Sequence, residues 1–222
     1  MTLSLVIAES ALELVPQSLA RHPSVRASAR REGKRPREIL LDNSWHYAAM
    51  KGLEDEVRRG RPDLVHFALL EATSVPLYTE GMLAVYVHTA GNRVIRVGGG
   101  VRLPRSYHRF AGLMEKLLLE GSIMAGENML LKVEKLDLKG LIQKIDAERT
   151  IGLSTAGSPS TCEGVASRMD GDTCLVVGGF QKGHFSESAR ALFGESYTVG
   201  GRPLESHVVL ARILYEYEKT VM

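Results

Sequence analysis

Apolar positions along this chain fall into two kinds of run. Leu3 to Ala8 is unbroken and short, the pattern of a strand buried on both faces. Ala11 to Leu19 reads as a short helix interrupted near Pro16. Arg21 to Arg37 has little apolar content and reads as a mobile surface loop or helical excursion rather than core. Glu38 to Leu41 is a short strand candidate, and Asp42-Asn-Ser44 offers an N-cap for a helix through Met50. A turn-rich block, Arg58-Arg-Gly-Arg61-Pro-Asp63, precedes the apolar run Leu64 to Leu70. Leu83 to His88 and Arg93 to Val97 alternate like paired strands, with Gly91-Asn92 as the hairpin turn. Pro104 to Leu119 carries Phe110, Leu113, Met114 and Leu117 at helical spacing, with Pro104 in the first turn.

The second half alternates more regularly. Strand patterns cover Leu130 to Val133, Thr150 to Ser154, Thr173 to Val177 and Ser196 to Val199. Helical patterns cover Leu138 to Ile145, Ser186 to Phe193 and about Leu204 to Lys219. Strands alternating with helices predict an α/β fold with a largely parallel sheet. Three of these strands end in small residues: Thr155-Ala-Gly-Ser-Pro159, Gly178-Gly-Phe-Gln-Lys-Gly183, and Gly200-Gly-Arg-Pro-Leu204. Ligands of open α/β sheets sit beyond the carboxyl ends of strands, where glycine lets backbone groups approach closely. None of the loops is a G-x-G-x-x-G fingerprint or a phosphate-binding P-loop. One such loop would be a simple turn; three in succession point to a cofactor pocket.

Composition narrows the partners. The chain has 222 residues, 44% hydrophobic and 24% charged, with a formal net charge of +2. That excludes a global polycation, so any nucleic-acid site must be a local patch. Two cysteines, Cys162 and Cys174, make neither a disulfide scaffold nor a zinc motif, and a reducing, cytoplasmic setting is the expectation. No run is long enough to span a bilayer, and the apolar start from Met1 to Ser10 lacks the features of a signal peptide. A patch is present: Gly81 to Met114 contains no Asp or Glu but holds Arg93, Arg96, Arg102, Arg105 and Arg109. On a helix begun at Pro104, Arg105 and Arg109 would share a face, with Arg102 just before it. Forked guanidiniums suit phosphates and base edges. Arg93 and Arg96 read as hairpin surface charges. His46, His66, His88 and His108 lack ligand spacing and read as packing or surface residues, no metal being expected; Trp45 and Tyr107 read as core rather than base-stacking residues.

The blocks Arg59-Gly-Arg-Pro-Asp-Leu-Val-His66, Arg102-Leu-Pro-Arg-Ser-Tyr-His-Arg-Phe-Ala-Gly-Leu-Met114 and Val176-Val-Gly-Gly-Phe180 carry a resemblance. The chain resembles, over essentially its whole length, the archaeal and eukaryotic pseudouridine N1-methyltransferases of ribosome biogenesis, the nucleolar essential protein family of SPOUT enzymes. The resemblance implies one α/β domain over residues 1–222, a deep trefoil knot in about 150–222, and a homodimer. It implies S-adenosylmethionine held by Thr155, Gly178, Gly183 and the loop Val199, Gly200, Gly201, Arg202, Pro203, Leu204. That last loop is richer in glycine than in eukaryotic members. It implies small-subunit ribosomal RNA as substrate, held by elements at about 58–66 and 102–114 through Arg61, Asp63, Arg102, Arg105 and Arg109. Other ribosome assembly factors are possible partners, and the segment 21–37 matches no motif.

Arg61 is the candidate for stabilising an anionic base, and Asp63 for orienting it through a charge-assisted pair. Asp63 as general base ranks second, because neighbouring guanidiniums hold a carboxylate ionised. Two alternatives stay open: a SPOUT enzyme acting on tRNA or a ribose 2′-hydroxyl, and an RNA-binding assembly factor whose catalysis is secondary.

Overall fold

A computed structural model describes residues 2–222; Met1, at the head of the apolar N-terminal run, lies outside them. Eight strands form one mixed sheet: β1 (Leu3–Ser10), β2 (Leu83–Thr89), β3 (Arg93–Val97), β4 (Ser122–Ala125), β5 (Asn128–Lys135), β6 (Arg149–Ser160), β7 (Thr173–Gly178) and β8 (Glu195–Val199). Their order across the sheet is β4-β5-β3-β2-β1-β7-β6-β8. β2, β1, β7, β6 and β8 run parallel, whereas β3, β5 and β4 are antiparallel. The α/β fold with a mostly parallel sheet is therefore as the pattern predicts, with an antiparallel wing of three strands.

Among the described residues nine α-helices pack around the sheet: α1 (Pro23–Glu32), α2 (Asn43–Met50), α3 (Pro62–Ala72), α4 (Pro76–Thr79), α5 (Tyr107–Glu120), α6 (Leu138–Ile145), α7 (Cys162–Ala166), α8 (Glu187–Arg190) and α9 (Ser206–Val221). Alternation along β1 shows how the layers form. Leu3, Leu5 and Ile7 face the main core with Val65 of α3, Phe110 of α5 and Leu210 of α9. Val6 and Ala8 face a smaller cluster with Leu138, Leu141, Phe185 and Ala189. Side chains on a strand point alternately to its two faces, so a strand covered on both faces must be apolar throughout.

Several segments depart from the sequence pattern. Ala11 to Leu19 is helical only as a 3-10 turn at Gln17–Leu19; the Val15 amide donates to the Ile39 carbonyl at 3.0 Å and the Leu41 amide to the Glu13 carbonyl at 2.9 Å. Backbone groups spent on another segment cannot close a helix. Glu38 to Leu41 correspondingly forms an isolated bridge, Leu14 to Leu40, rather than a strand. The excursion at 21–37 is built around α1, and Val25 and Ala29 are buried in a third cluster with Leu41 and Met50. It thus carries core of its own. The helix placed at Pro104 starts at Tyr107, because Val101 and Leu103 are buried and His66 Nε2 lies 2.8 Å from the Pro104 carbonyl oxygen. The segment is held extended, and Arg105 precedes the helix instead of sharing a face with Arg109.

β6 runs to Ser160 rather than ending at Ser154, with a register irregularity between Leu153 and Ser158. Thr155 therefore sits on a bulged strand, not in a loop. α8 is four residues long against the eight expected from Ser186 to Phe193. Three short elements, α4, β4 and α7, carry too few residues to register as periodic.

Candidate active site

All five parallel strands point their carboxyl ends at one edge of the sheet, and the loops beyond them build the site. Two adjoining cavities of about 390 and 80 Å³ share Leu153, Ser154, Thr155, Gly178, Pro203, Leu204 and Ser206 as lining. Gly183 lines the larger one; Val199 and Arg202 line the smaller. Gly200 and Gly201 lie in the same loop without lining either cavity. Gly183 and Gly200 sit at φ +95° and +84°, left-handed values that favour glycine. The wall mixes apolar side chains, from Leu153, Val177, Leu204 and Val209, with hydroxyls and the polar side chains of Arg202, Gln181, Lys182 and His184. A heteroaromatic ring with a polar tail fits that surface, since backbone groups can read the ring edge while aliphatic side chains cover its faces.

Gly179 performs a different task from its neighbour. A Cβ there would stand 2.1 Å from Ser10 Oγ, so this glycine packs the loop against the end of β1. The Gly179 amide donates to the Ala8 carbonyl, and the Ala11 amide to the Gly179 carbonyl.

The Arg58–Asp63 block lies beside this cleft, and each of its arginines is held by a carboxylate. Arg61 donates to Asp63 through Nε at 2.8 Å and Nη2 at 2.7 Å. Pro62 opens α3, and Asp63 stands in its first turn, where a negative charge favours the helix. The paired Asp63 carboxylate raises the Arg61 pKa further, and the nearby Glu205 and Asp42 carboxylates add to it. Arg61 is fixed in the backbone as well, its amide donating to the Ala11 carbonyl at 3.2 Å. Gly60, at φ +62°, makes the turn, and a Cβ on it would lie 2.9 Å from Met50 Cε.

Arg59 forms a forked pair with Glu13 at 2.7 and 2.6 Å. Arg58 donates to Glu9 at 2.6 Å and lies over the Phe180 ring, 4.2 Å from its centroid. Glu9 also accepts from the Ser186 amide at 3.1 Å. Glu9 is a non-glycine at φ +50°, a conformation that surrounding contacts must hold. One such contact is its own amide, which donates to His88 Nδ1 at 3.2 Å. That bond requires a bare Nδ1, so Nε2 carries the proton toward Asn92 Oδ1. Burial lowers the His88 pKa and keeps the ring neutral. Glu9 and Arg58 thus tie the arginine block to the loop 179–186 that lines the larger cavity. Sequence reasoning placed Arg58 only within the turn-rich block and missed Glu9. Glu9 gives no signal beyond its place at a strand end.

Arg102, Arg105 and Arg109 are exposed and have no ion-pair partner among the described residues. The link between the two blocks is indirect: Tyr107 donates to Asp42, and His66 on α3 stacks on Phe110 of α5 at 4.2 Å. Tyr107 is partly buried, whereas Trp45 is 50% exposed, not core. Ser206 is a further residue that the sequence reading passed over; its hydroxyl donates to the Gly178 carbonyl across the cleft. Among the described residues there is no group of three or more His, Cys, Asp or Glu placed to hold a metal. No described helix is long and apolar enough to cross a membrane.

This arrangement has close counterparts. The chain is 41% identical over 220 residues to the ribosomal RNA small subunit methyltransferase Nep1 of Thermococcus kodakarensis, covering 97% of each chain. It is 38% identical over 214 residues to the protein of that name from Staphylothermus marinus, covering 96% of this chain and 93% of the other. A crystal structure of Archaeoglobus fulgidus Nep1 bound to S-adenosylhomocysteine superposes with a TM-score of 0.90 at 38% identity, covering 100% of this chain and 99% of that one. The model of the EMG1/NEP1 methyltransferase family matches residues 5–218, and the chain belongs to that family.

Proposed function

We propose that this protein transfers a methyl group from S-adenosylmethionine to N1 of a pseudouridine in small-subunit ribosomal RNA. The observation that carries the proposal is the forked Arg61–Asp63 pair in a block whose Arg58 lies over Phe180 of the cleft wall. Relatives named as small-subunit rRNA methyltransferases, and a superposable relative holding S-adenosylhomocysteine, support the substrate and cofactor classes.

Thr155, Gly178, Gly183 and Val199 to Leu204 are the residues proposed to hold the cofactor, with Ser206 fixing the Gly178 carbonyl. When bound, S-adenosylmethionine supplies an electrophilic methyl carbon. Pseudouridine is joined to its sugar through carbon, so its N1 retains a proton that uridine lacks. N1 must give up that proton to solvent water, leaving negative charge spread over the ring carbonyls until N1 takes the methyl group, with release of the demethylated cofactor. Arg61 is placed by Asp63 to stabilise that charge. A donor fixed before the reaction costs no reorganisation when the charge develops. Holding the base in line contributes on the order of 7–11 kcal/mol in well-oriented pairs. The base must lie in a loop or leave its stack to reach the cleft. Arg102, Arg105 and Arg109 would grip the RNA on either side.

The dimer belongs to the same reading. Phe67 on α3 and Tyr215 on α9 are 49% and 60% exposed on two helices that pack together, and a second copy would cover these rings. A knot is part of the same proposal, supported by the return of the chain from edge strand β8 to α9, whose Ser206 bonds back to the end of β7.

The test is mass mapping of small-subunit RNA fragments, in uridine and pseudouridine versions, after incubation with S-adenosylmethionine. A gain of one methyl group on the pseudouridine version alone is expected. Equal methylation of the uridine version would overturn the N1 assignment, because uridine N1 is blocked by its glycosidic bond.

A further inference from the structure

Trp45 is the only tryptophan in the chain and stands half in water, on the first turn of α2. Indole is a large apolar surface that folding normally covers. A cation stands against it: the Arg31 guanidinium lies 3.9 Å from the ring centroid. The neighbourhood is strongly basic. Residues 21–37 hold seven Arg and Lys against Glu32 alone. Lys34 is neutralised by Glu32 and Glu115, and Arg35 by Glu38. Arg26, Arg30 and Arg31 are exposed on α1 with no ion pair among the described residues, and Arg26 and Arg30 stand one turn apart on one face.

This helix is anchored rather than trailing. Glu115 on α5, almost fully buried, accepts from the Leu40 amide at 2.9 Å and pairs with Lys34. Trp45 and His108 line one small crevice between α1, α2 and α5, so the indole adjoins the segment that carries Arg105 and Arg109. The first turn of α2 is equally tied to the Arg61 loop, since the Asn43 amide donates to the Gly60 carbonyl at 2.9 Å. An exposed indole, framed by free guanidiniums and set between the two arginine blocks, is the chemistry of a nucleobase-stacking platform.

We infer that Trp45, with Arg31 and the α1 arginines Arg26 and Arg30, forms a stacking platform for an unpaired RNA nucleotide flanking the target base. The inference rests on the proposed RNA substrate, but it concerns a surface separate from Arg61 and the cofactor cleft. The indole face takes the base, and the α1 arginines take the adjoining phosphates.

Because Trp45 is the sole tryptophan, its emission reports on this platform alone. The experiment titrates the full-length protein with a fluorescein-labelled hairpin fragment of small-subunit rRNA. It reads tryptophan emission on unlabelled RNA and anisotropy on labelled RNA, for wild type, Trp45→Phe and Trp45→Ala. Quenched emission on binding is expected, with Trp45→Ala weakening affinity roughly 5- to 100-fold and Trp45→Phe retaining most of it. S-adenosylhomocysteine affinity and the circular dichroism spectrum should stay unchanged in both variants. Tight RNA binding with unaltered emission and an unaffected Trp45→Ala variant would overturn the platform and leave the methyltransferase reading intact. An absence of RNA binding by wild type would overturn both. Emission that shifts with protein concentration alone would assign the face to a protein contact and overturn the platform.

Discussion

Two arginine blocks of similar composition play opposite parts. In Arg58–Arg61 every guanidinium is locked: Arg58 on Glu9, Arg59 on Glu13, Arg61 on Asp63. In Arg102–Arg109 every guanidinium is exposed, and none has an ion-pair partner among the described residues. A locked guanidinium has lost its rotamer freedom before any ligand arrives, and it can present a charge to one place. A free guanidinium is long and adaptable, and it gains most from releasing counterions along a phosphate chain. The first block suits positioning, the second affinity.

The sharpest way to break this contrast is Arg61→Ala. At saturating RNA the methyl-transfer rate should fall on the order of 100-fold, while cofactor affinity holds. Asp63→Asn tests the pairing itself: at saturating RNA the rate should fall about tenfold as the guanidinium loses its orienting partner, with cofactor affinity unchanged. A loss of rate larger than that of Arg61→Ala would instead make Asp63 the base, since a residue acting only through Arg61 cannot cost more than Arg61 itself.

Changes in the free block should be smaller and of another kind. Arg102→Ala, Arg105→Ala and Arg109→Ala should each cost roughly 1–3 kcal/mol of RNA affinity where the side chain reads a base. A phosphate contact should instead lower the salt dependence of binding by about 0.7 per arginine. Three variants binding like wild type would remove this surface from the account.

Arg58→Ala probes the coupling between block and cleft. Losing its bond to Glu9 and its stacking on Phe180 should loosen the loop 179–186 and weaken S-adenosylhomocysteine binding several-fold in calorimetry, about 1 kcal/mol. The mildest effect concerns acid stability. His88 is buried neutral, with a pKa below the ordinary value of about 6.5. Between its folded and unfolded values the unfolded chain binds more protons, so stability is full above about pH 6.5 and is lost as pH falls through the folded value. Melting temperatures between about pH 7.5 and 5 should fall for wild type and fall less for His88→Gln.

Much of this was legible in the sequence. The continuous apolar run at β1, the hairpin of β2 and β3, the Asp42 cap of α2 and the boundaries of α6 are local signals, and each element forms where its pattern lies. The Asp42 side chain accepts from the Ser44 amide, as its position before α2 requires. What escaped was decided by distant partners. Pro104 looks like a helix start until His66 is placed on its carbonyl. Residues 11–19 look helical until residues 39–41 take their backbone bonds.

The candidate site divides in the same way. Arg61 and Asp63 are two residues apart, so their pairing could be read directly. The cleft residues were legible as strand-end loops. The difference between locked and free arginines was not, because Glu9 lies 49 positions from Arg58 and Glu13 46 positions from Arg59. Trp45, taken for core, is exposed because α1 approaches it with a guanidinium rather than an apolar side chain.

The division between positioning and affinity is tested most directly by single-turnover methyl transfer across a range of RNA concentrations. The comparison sets Arg61→Ala against the triple variant Arg102→Ala, Arg105→Ala, Arg109→Ala. The account predicts that the triple variant recovers the wild-type rate once RNA saturates, and that Arg61→Ala does not. A triple variant slow at saturation, beside an Arg61→Ala enzyme rescued by added RNA, would contradict it.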